Sequence, residues 1–215
     1  IPVPACPHCF GAGAEDKPLT TLLGVDCEMC ETAVGLELTR VTVVNAAHEA
    51  VYDSLVVPPN PITNYLTQYS GITEEMLKGV TTTLPDVQKH LAAMFTADVM
   101  LVGHSIENDL RVLKLYHPHV IDTAVLFPHS RGGSFRQSLR TLAKVHLGLD
   151  IQTNGADGHC SSEDASAALK LAQLKFKKGP SFGVVLRRVN PTNSIVSALH
   201  TDKVTAAETM IGGSH

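Results

Sequence analysis

Two carboxylates lie two residues apart in the apolar stretch LLGVDCEMC, at Asp26 and Glu28. Side chains alternate between the two faces of a β-strand, so these carboxylates share one face while Cys27 points to the other. An isolated Asp-X-Glu pair on a strand is most often only a solvated face. A strand this apolar is expected to be buried, however, and carboxylates at its end then need a chemical reason.

Two further acidic residues are predicted to lie at the starts of helices. The segment LVGHSIENDL runs from an apolar strand into a helix that Ser105 is expected to cap, which places Asp109 one turn inside it. The segment DGHCSSEDA places Asp164 in the first turn or so of the last long helix. Both positions lie near the positive end of a helix dipole, where carboxylates are favoured.

Carboxylates that meet at one place repel one another unless cations neutralise them. We refer to Asp26, Glu28, Asp109 and Asp164 as the acidic cluster. Its charge of about −4 would be balanced by two divalent cations, and all-oxygen ligands suit Mg²⁺ or Mn²⁺ better than Zn²⁺. Two such ions about 4 Å apart stabilise the attacking and leaving oxygens in phosphodiester cleavage. The acidic residues therefore predict a two-metal nuclease site.

A general base is also needed, and histidine has the side-chain pKa nearest to working pH. The spacing His-X₄-Asp occurs three times, beginning at His104, His117 and His159, so spacing alone does not identify the base. Gly155 and Gly158 predict a mobile loop around His159, which suits a group that must approach a bound water. His104 and His117 are interpreted as structural, capping or surface histidines.

The elements that must position these residues follow from the apolar patterns. Apolar or alternating runs predict strands over 22–28, 38–45, 50–57, 98–103 and 120–123. Short links rich in turn formers join the first three, which predicts an antiparallel meander. Helical patterns cover 84–95, 105–116, 135–148 and 162–179. A meander followed by alternating strands and helices predicts an α/β fold whose mixed sheet is flanked by helices.

The composition is that of a globular protein. With 215 residues, 44% of them hydrophobic, the chain suits one domain with tails. A net charge of −4 excludes a strongly basic nucleic-acid coat protein, so a polyanionic ligand must be held locally. Five cysteines without a framework spacing, no signal peptide and no membrane-spanning run predict a soluble, reduced, intracellular protein with no membrane partner.

Three motifs resemble a known family. GVDCEMC, LVGHSIENDLRVLK and GHCSSEDA are similar, in this order, to those of the DEDDh 3′-to-5′ exonucleases of the DnaQ-like, ribonuclease H-like superfamily. GLELTRVTVV, YSGIT and VIDTAVLFPH resemble in particular the eukaryotic RNA exonuclease (Rex) branch. The resemblance covers residues 22–178 and shows no departure at the acidic cluster or His159.

The resemblance implies a ribonuclease H-like fold with a mixed five-stranded sheet. It further implies an exonuclease domain over 21–179, between an N-terminal extension over 1–20 and a C-terminal extension over 180–215. The implied activity is hydrolysis of RNA from a free 3′ end, releasing nucleoside 5′-monophosphates, in RNA processing or turnover. A nuclear location is implied by the resemblance alone, and the oligomeric state is not predicted.

The resemblance also implies a role for each site residue. The acidic cluster would hold two Mg²⁺ or Mn²⁺ ions, and His159 would deprotonate the attacking water. Met29, Gly71, Ile72 and Thr73 would line the pocket for the terminal nucleotide. Apolar residues in a loop are more often simple packing, which is the competing interpretation of the pocket residues.

Basic residues offer a surface for the RNA backbone. Arg136, Arg140 and Lys144 recur every fourth residue, and this stripe on one helix face could contact phosphates. A solvated face explains the stripe nearly as well. Asp122 could be taken for a fifth metal ligand, but an Asp at a strand end more often caps a turn or helix, and that interpretation ranks first.

The cysteines could suggest a zinc site. Cys6-X₂-Cys9 and Cys27-X₂-Cys30 together have a zinc-ribbon spacing. The four-cysteine site is rejected because Cys27 and Cys30 would point to opposite faces of a strand. CPHC alone stays a candidate knuckle that other residues would complete.

Two other functions compete with a metal-dependent exoribonuclease. One is an RNA-binding module that keeps the fold without activity. The other is an exonuclease that prefers DNA or short oligonucleotides, which the 2′-hydroxyl of RNA would distinguish.

Overall fold

The structure of the chain is a computed structural model that describes residues 21–132, 135–153 and 158–184. The N-terminal extension with its Cys6 and Cys9 knuckle lies outside these residues, as does most of the C-terminal extension. The limits proposed for the three regions therefore stay predictions.

A mixed sheet forms the centre of the described domain. Its strands are β1 Thr21–Thr32, β2 Gly35–Val44, β3 Ala50–Leu55, β4 Ile62–Asn64, β5 Val99–Gly103 and β6 Val120–Asp122. The main path runs β3-β2-β1-β5-β6, with β1, β2 and β3 antiparallel and β5 and β6 parallel to β1. This path confirms the predicted meander and mixed sheet. Among the strands of the described residues, prediction missed only β4, because its three residues are too few to give a clear pattern.

Helices cover both faces of the sheet. They are α1 Thr67–Ser70, α2 Glu74–Leu77, α3 Leu84–Met94, α4 Glu107–Leu113, α5 Thr123–Leu126, α6 Leu139–Leu142 and α7 Ser161–Lys178. A π-helical turn, Ala143–Leu147, continues α6. The predicted helices over 84–95 and 162–179 are confirmed to within a residue or two. Among the helices of the described residues, none has both the length and the apolarity to cross a membrane.

The helix predicted over 105–116 is shorter, and its expected cap is wrong. Ser105 has a left-handed backbone with φ 56°, and its N–H donates to Asp122 Oδ1 at 2.8 Å. The residue is therefore part of a turn that Asp122 stabilises, and α4 begins only at Glu107. Asp109 still lies in the first turn of α4, as predicted.

The helix predicted over 135–148 begins later than expected. Ser138 caps α6 by accepting a hydrogen bond from Thr141 N, so Arg136 lies before the helix. The predicted stripe along one helix face is therefore wrong at Arg136. A serine oxygen that accepts a hydrogen bond from a free amide stabilises a helix start. Here this stabilisation outweighs that of one more helical turn.

The two faces of β1 pack against different helices. Leu23 and Val25 belong to a buried cluster with residues of α3 and α4, and the opposite face of β1 lies under α7. A Cβ at Gly24 would lie 2.7 Å from the Ala165 carbonyl oxygen, so only glycine allows the α7 backbone to approach this closely. Full burial of a Leu such as Leu169 contributes about 1.5–3 kcal/mol. This packing fixes α7 over the strand that carries Asp26.

Candidate active site

The end of β1 extends beyond its parallel neighbour and carries two members of the acidic cluster. The parallel ladder between β1 and β5 ends at Gly24. Past that point, the backbone N–H of Cys27 donates to Asp109 Oδ1 at 2.8 Å, across 82 residues of sequence. Because Cys27 separates Asp26 from Glu28, this hydrogen bond places Asp109 beside both.

The start of α7 brings Asp164 to the same strand end. Thr42 of β2 is the register partner of Asp26, and its hydroxyl lies 2.7 Å from the hydroxyl of Ser161. Ser161 is the first residue of α7, so Asp164 follows within the first turn. The charge of Asp164 contributes to the raised pKa of Glu28, as expected for neighbouring carboxylates.

Burial is the largest cause of a raised pKa at each member of the acidic cluster. It raises the pKa of Glu28 to about 8, of Asp109 to about 7 and of Asp164 to about 6. Burial, and then the charges of Asp109 and Glu28, raise the pKa of Asp26 well above its usual value. These raised pKa values mean that the ionised cluster lacks a compensating positive charge, which a bound cation would supply.

The donor atoms suit a hard divalent cation. Asp164 Oδ1 is buried and has no hydrogen-bond partner among the described residues, while Oδ2 accepts from Gln152. A buried carboxylate oxygen without a partner is costly, and a cation would satisfy it. Within the same residues, no three His, Cys, Asp or Glu side chains already surround one point that could hold an ion. The charge and the oxygen donors of the cluster thus suit a hard divalent cation such as Mg²⁺ or Mn²⁺.

His159 lies at this site, just before α7. Its Nδ1 is 3.6 Å from Asp164 Oδ2, and its backbone N–H donates to the Tyr69 carbonyl at 2.9 Å. Gly158, with φ 77°, packs so tightly that a Cβ there would lie 2.1 Å from Gly71 N. The backbone at His159 is therefore held by its neighbours. The predicted mobility of the loop around His159 is not seen at Gly158 and His159, and Gly155 lies outside the described part of the chain.

The other two histidines serve the fold, as interpreted. His117 is buried, and its Nε2 lies 2.8 Å from the Val99 carbonyl oxygen. Nδ1 of His104 lies 2.9 Å from the Thr123 hydroxyl. Neither contact leads to the acidic cluster.

Asp122 is a cap. Its Oδ1 accepts from the backbone N–H groups of Ala124 and Ser105, both at 2.8 Å. The first bond caps α5 and the second holds the turn before α4. The interpretation ranked first is confirmed, and Asp122 is a support for the turn that leads to Asp109.

A cavity of about 420 Å³ opens beside His159. Its lining consists of Arg40, Thr67, Ser70, Gly71, Ile72, Thr73, Met76, His159 and Cys160. The predicted pocket residues of the SGIT segment are therefore next to the candidate base. Met29, by contrast, is partly buried against the core cluster under the sheet. A nucleotide-binding role for these residues stays a prediction.

The structure does not bring Arg136 or Arg140 to this cavity. Both side chains are exposed, and neither is part of the cavity lining. Lys144, the third member of the predicted stripe, pairs with Asp150 at 2.5 Å. Contact of this surface with RNA stays a prediction.

Two residues near the site escape sequence reasoning. Arg40 is the register partner of Glu28, and its Nε and Nη2 donate to Asp53 at 2.8 and 2.6 Å. Its charge opposes the rise in the Glu28 pKa. The hairpin pairing of β1 with β2 could have indicated Arg40. Gln152 has no local signal, because its contact with Asp164 depends on the path of a loop.

Comparisons with known proteins agree with this architecture. The sequence profile of the RNase_T exonuclease family matches residues 23–172. The chain is 48% identical over 172 residues to human RNA exonuclease 5, covering 80% of the chain and 22% of that protein. It is 44% identical over 184 residues to RNA exonuclease 1 of Saccharomyces cerevisiae, covering 85% of the chain and 32% of that protein. The chain thus spans a third or less of the length of these relatives.

Solved structures share the fold. The Pan2 catalytic unit of Neurospora crassa, with protease and nuclease domains, superposes with a TM-score of 0.66 at 27% identity over 80% of this chain and 30% of that one. The Saccharomyces cerevisiae Pan2 module in complex with AAUUAA RNA gives a TM-score of 0.64 at 25% identity, over 87% and 33%. The expected ribonuclease H-like fold is confirmed. With the profile match across most of the described residues, this shows that the chain belongs to the RNase_T family of exonucleases.

Proposed function

We propose that this chain is a metal-dependent 3′-to-5′ exoribonuclease that releases nucleoside 5′-monophosphates in nuclear RNA processing or turnover. The observation that carries the proposal is that Asp109 and Asp164, from separate helices, meet the end of β1. RNA as substrate is supported by the relatives named RNA exonuclease 5 and RNA exonuclease 1, and by the Pan2 structure with RNA.

The acidic cluster would hold two Mg²⁺ or Mn²⁺ ions. When bound, these ions supply Lewis-acid stabilisation of the negative charge on the attacking and leaving oxygens. The raised pKa values of Glu28 and Asp109 have a consequence for loading, because the carboxylates must lose their protons to become ligands. Metal binding by this chain therefore releases protons near neutral pH.

His159 is the proposed general base. Asp164 Oδ2, 3.6 Å from Nδ1, favours the proton on that nitrogen and leaves Nε2 as the acceptor. A water oxygen bonds to the terminal phosphorus while its proton passes to the imidazole. The bond from phosphorus to the 3′-oxygen of the penultimate nucleotide breaks, that oxygen takes up a proton from solvent, and the nucleoside 5′-monophosphate is released.

The cavity beside His159 is the proposed site of the terminal nucleoside. Its volume of about 420 Å³ lies within the usual range for small-molecule sites. Gly71 and Thr73 line it on the wall that holds the His159 backbone. A nucleoside there would lie beside the imidazole of His159, which lines the cavity.

Product analysis on 5′-labelled RNA tests the proposal. In Mg²⁺ the wild type should shorten the RNA from the 3′ end and release mononucleotides, whereas Asp26→Asn and His159→Ala should lose about 10²- to 10⁴-fold in rate. Glu75→Gln, an exposed carboxylate outside the cluster, is the matched control and should leave the rate unchanged.

Other outcomes identify the competing functions. Tight RNA binding without product in Mg²⁺ or Mn²⁺ would indicate an inactive binding module. Faster hydrolysis of a DNA oligomer of the same sequence would indicate a DNA exonuclease. Shortening from the 5′ end would contradict the proposed direction.

A further inference from the structure

Gln152 is tied to the start of α7 by two hydrogen bonds. Its side-chain Nε2 donates to Asp164 Oδ2 at 2.8 Å, and its backbone N–H donates to Glu163 Oε2 at 3.0 Å. We propose, given the function proposed above, that Gln152 is a positioning residue that orients the Asp164 carboxylate so that Oδ1 faces a bound Mg²⁺ or Mn²⁺ ion.

The two oxygens of Asp164 have unequal environments. Oδ2 has the amide donor, while Oδ1 is buried without a hydrogen-bond partner among the described residues. Rotation of a carboxylate about its terminal torsion meets only broad, shallow minima, so a neighbour must fix its plane. The Gln152 bond does this by engaging one oxygen only. The other is left for a cation.

An amide suits this task better than a charged donor. Lys or Arg in place of Gln152 would neutralise Asp164 and weaken its attraction for a cation. A carboxylate would repel it. Gln152 donates a hydrogen bond without adding charge, so Asp164 keeps its full negative charge for the ion.

Gln152 also limits the approach of His159. The imidazole Nδ1 lies 3.6 Å from the same Asp164 Oδ2 that the amide contacts at 2.8 Å. The amide already occupies this oxygen, and the imidazole remains beyond hydrogen-bond distance of it.

The backbone conformation of Gln152 indicates that this residue does more than form a turn. Its φ is 56°, a left-handed value at which glycine is favoured over a residue with a side chain. Such a conformation persists when surrounding contacts over-determine it, and it clusters at functional sites. Ile151, buried beside it, and the bond to Glu163 supply those contacts.

Metal titration of variants tests the proposal. We would measure Mn²⁺ binding to the full chain by calorimetry, together with the Mg²⁺ concentration for half-maximal RNA hydrolysis, in Gln152→Leu and Gln152→Gly. Loss of a group that orients a metal ligand typically weakens metal affinity about 10- to 100-fold, and we expect both variants to show it. The Gly variant removes the side chain while favouring the backbone, so it remains informative if the Leu variant misfolds.

Gln173→Leu is the matched control. Gln173 lies on α7, and its Nε2 donates to the Ala46 carbonyl at 3.1 Å, away from the acidic cluster. Its substitution should leave Mn²⁺ affinity at the wild-type value. Loss of metal affinity confined to the Gln152 variants supports the proposal.

Two failures are distinguishable. If wild type and Gln152 variants bind Mn²⁺ equally while wild type hydrolyses RNA, the positioning role is overturned and the proposed function stands. A fall in unfolding temperature without a change in metal affinity has the same meaning. If wild type neither binds Mn²⁺ nor hydrolyses RNA, the proposed function falls and the positioning role falls with it.

Discussion

The backbone of His159 is joined to that of Tyr69 by a 2.9 Å hydrogen bond, which links the proposed base to one wall of the cavity beside it. Directly alongside, Gly158 lies against Gly71 with no room for a side chain. The position of the imidazole therefore depends on the segment that lines the proposed nucleoside site. A change in either segment is expected to move the other.

Gly158→Ala should separate these segments. The new Cβ would start 2.1 Å from Gly71 N, so the two backbones must move apart. We expect a stability loss of about 1–3 kcal/mol and a fall in RNA hydrolysis of about 100-fold. Gly79→Ala is the control, since φ there is also about +78° but nothing lies within 4 Å of the new Cβ. Equal activity in the two variants would contradict the coupling.

Asp122→Ala should weaken catalysis through the turn before α4. The carboxylate accepts a hydrogen bond from the N–H of Ser105, four residues before Asp109 in the first turn of α4. We expect a loss of about 0.5–2 kcal/mol in stability and a reduced turnover of RNA. Asp86→Ala removes a comparable cap at the start of α3 and should cost similar stability without affecting turnover. Parallel loss of activity in both variants would refute the specific role.

The acidic cluster should make the metal-free protein less stable as pH rises. Because the folded-state pKa values of Asp164, Asp109 and Glu28 are raised to about 6, 7 and 8, the native state retains protons that the unfolded chain releases. Stability is thus full below the unfolded pKa values, near about 4, and is lost as pH rises through the folded ones.

Denaturant titration in EDTA checks this dependence. Asp164→Asn removes one contributing group, so wild type should lose more stability than this variant between about pH 5 and about pH 8. Mg²⁺ should restore the loss, adding about 2.7 kcal/mol at a hundredfold excess over its Kd, and should act less on Asp164→Asn. A wild-type stability that rises with pH relative to the variant would be inconsistent with the raised pKa values.

His117 should contribute the opposite pH dependence. Burial lowers the pKa of this histidine below its usual 6.5 because it disfavours the charged ring, and this outweighs the hydrogen bond with the Val99 carbonyl, which raises the pKa. Its contribution is therefore present above about pH 6.5 and is lost as pH falls toward the folded pKa. His117→Gln keeps a donor but does not titrate, so the variant should lose less stability on acidification. Denaturant titration measures the stability of wild type and variant as the pH is lowered. His90→Gln, at an exposed position of α3, is the control.

The positions of several candidate site residues within their own elements were predictable from local patterns. Alternation along a strand placed Asp26 and Glu28 on one face, and the helix-start pattern placed Asp164 in the first turn of α7. Backbone geometry sets these periodicities, so they hold in any tertiary context. For the same reason, the capping interpretation of Asp122 was correct.

Only the tertiary structure decided how these pieces meet. Ser105 looked like a helix cap, yet its N–H is taken by Asp122, and the late start of α6 left Arg136 outside the helix. The Gln152 contact with Asp164 has no local signature, because it depends on the path of a loop. Short-range patterns determine which way a side chain faces along its own element. Its partner across the molecule is chosen by packing, which no single segment encodes.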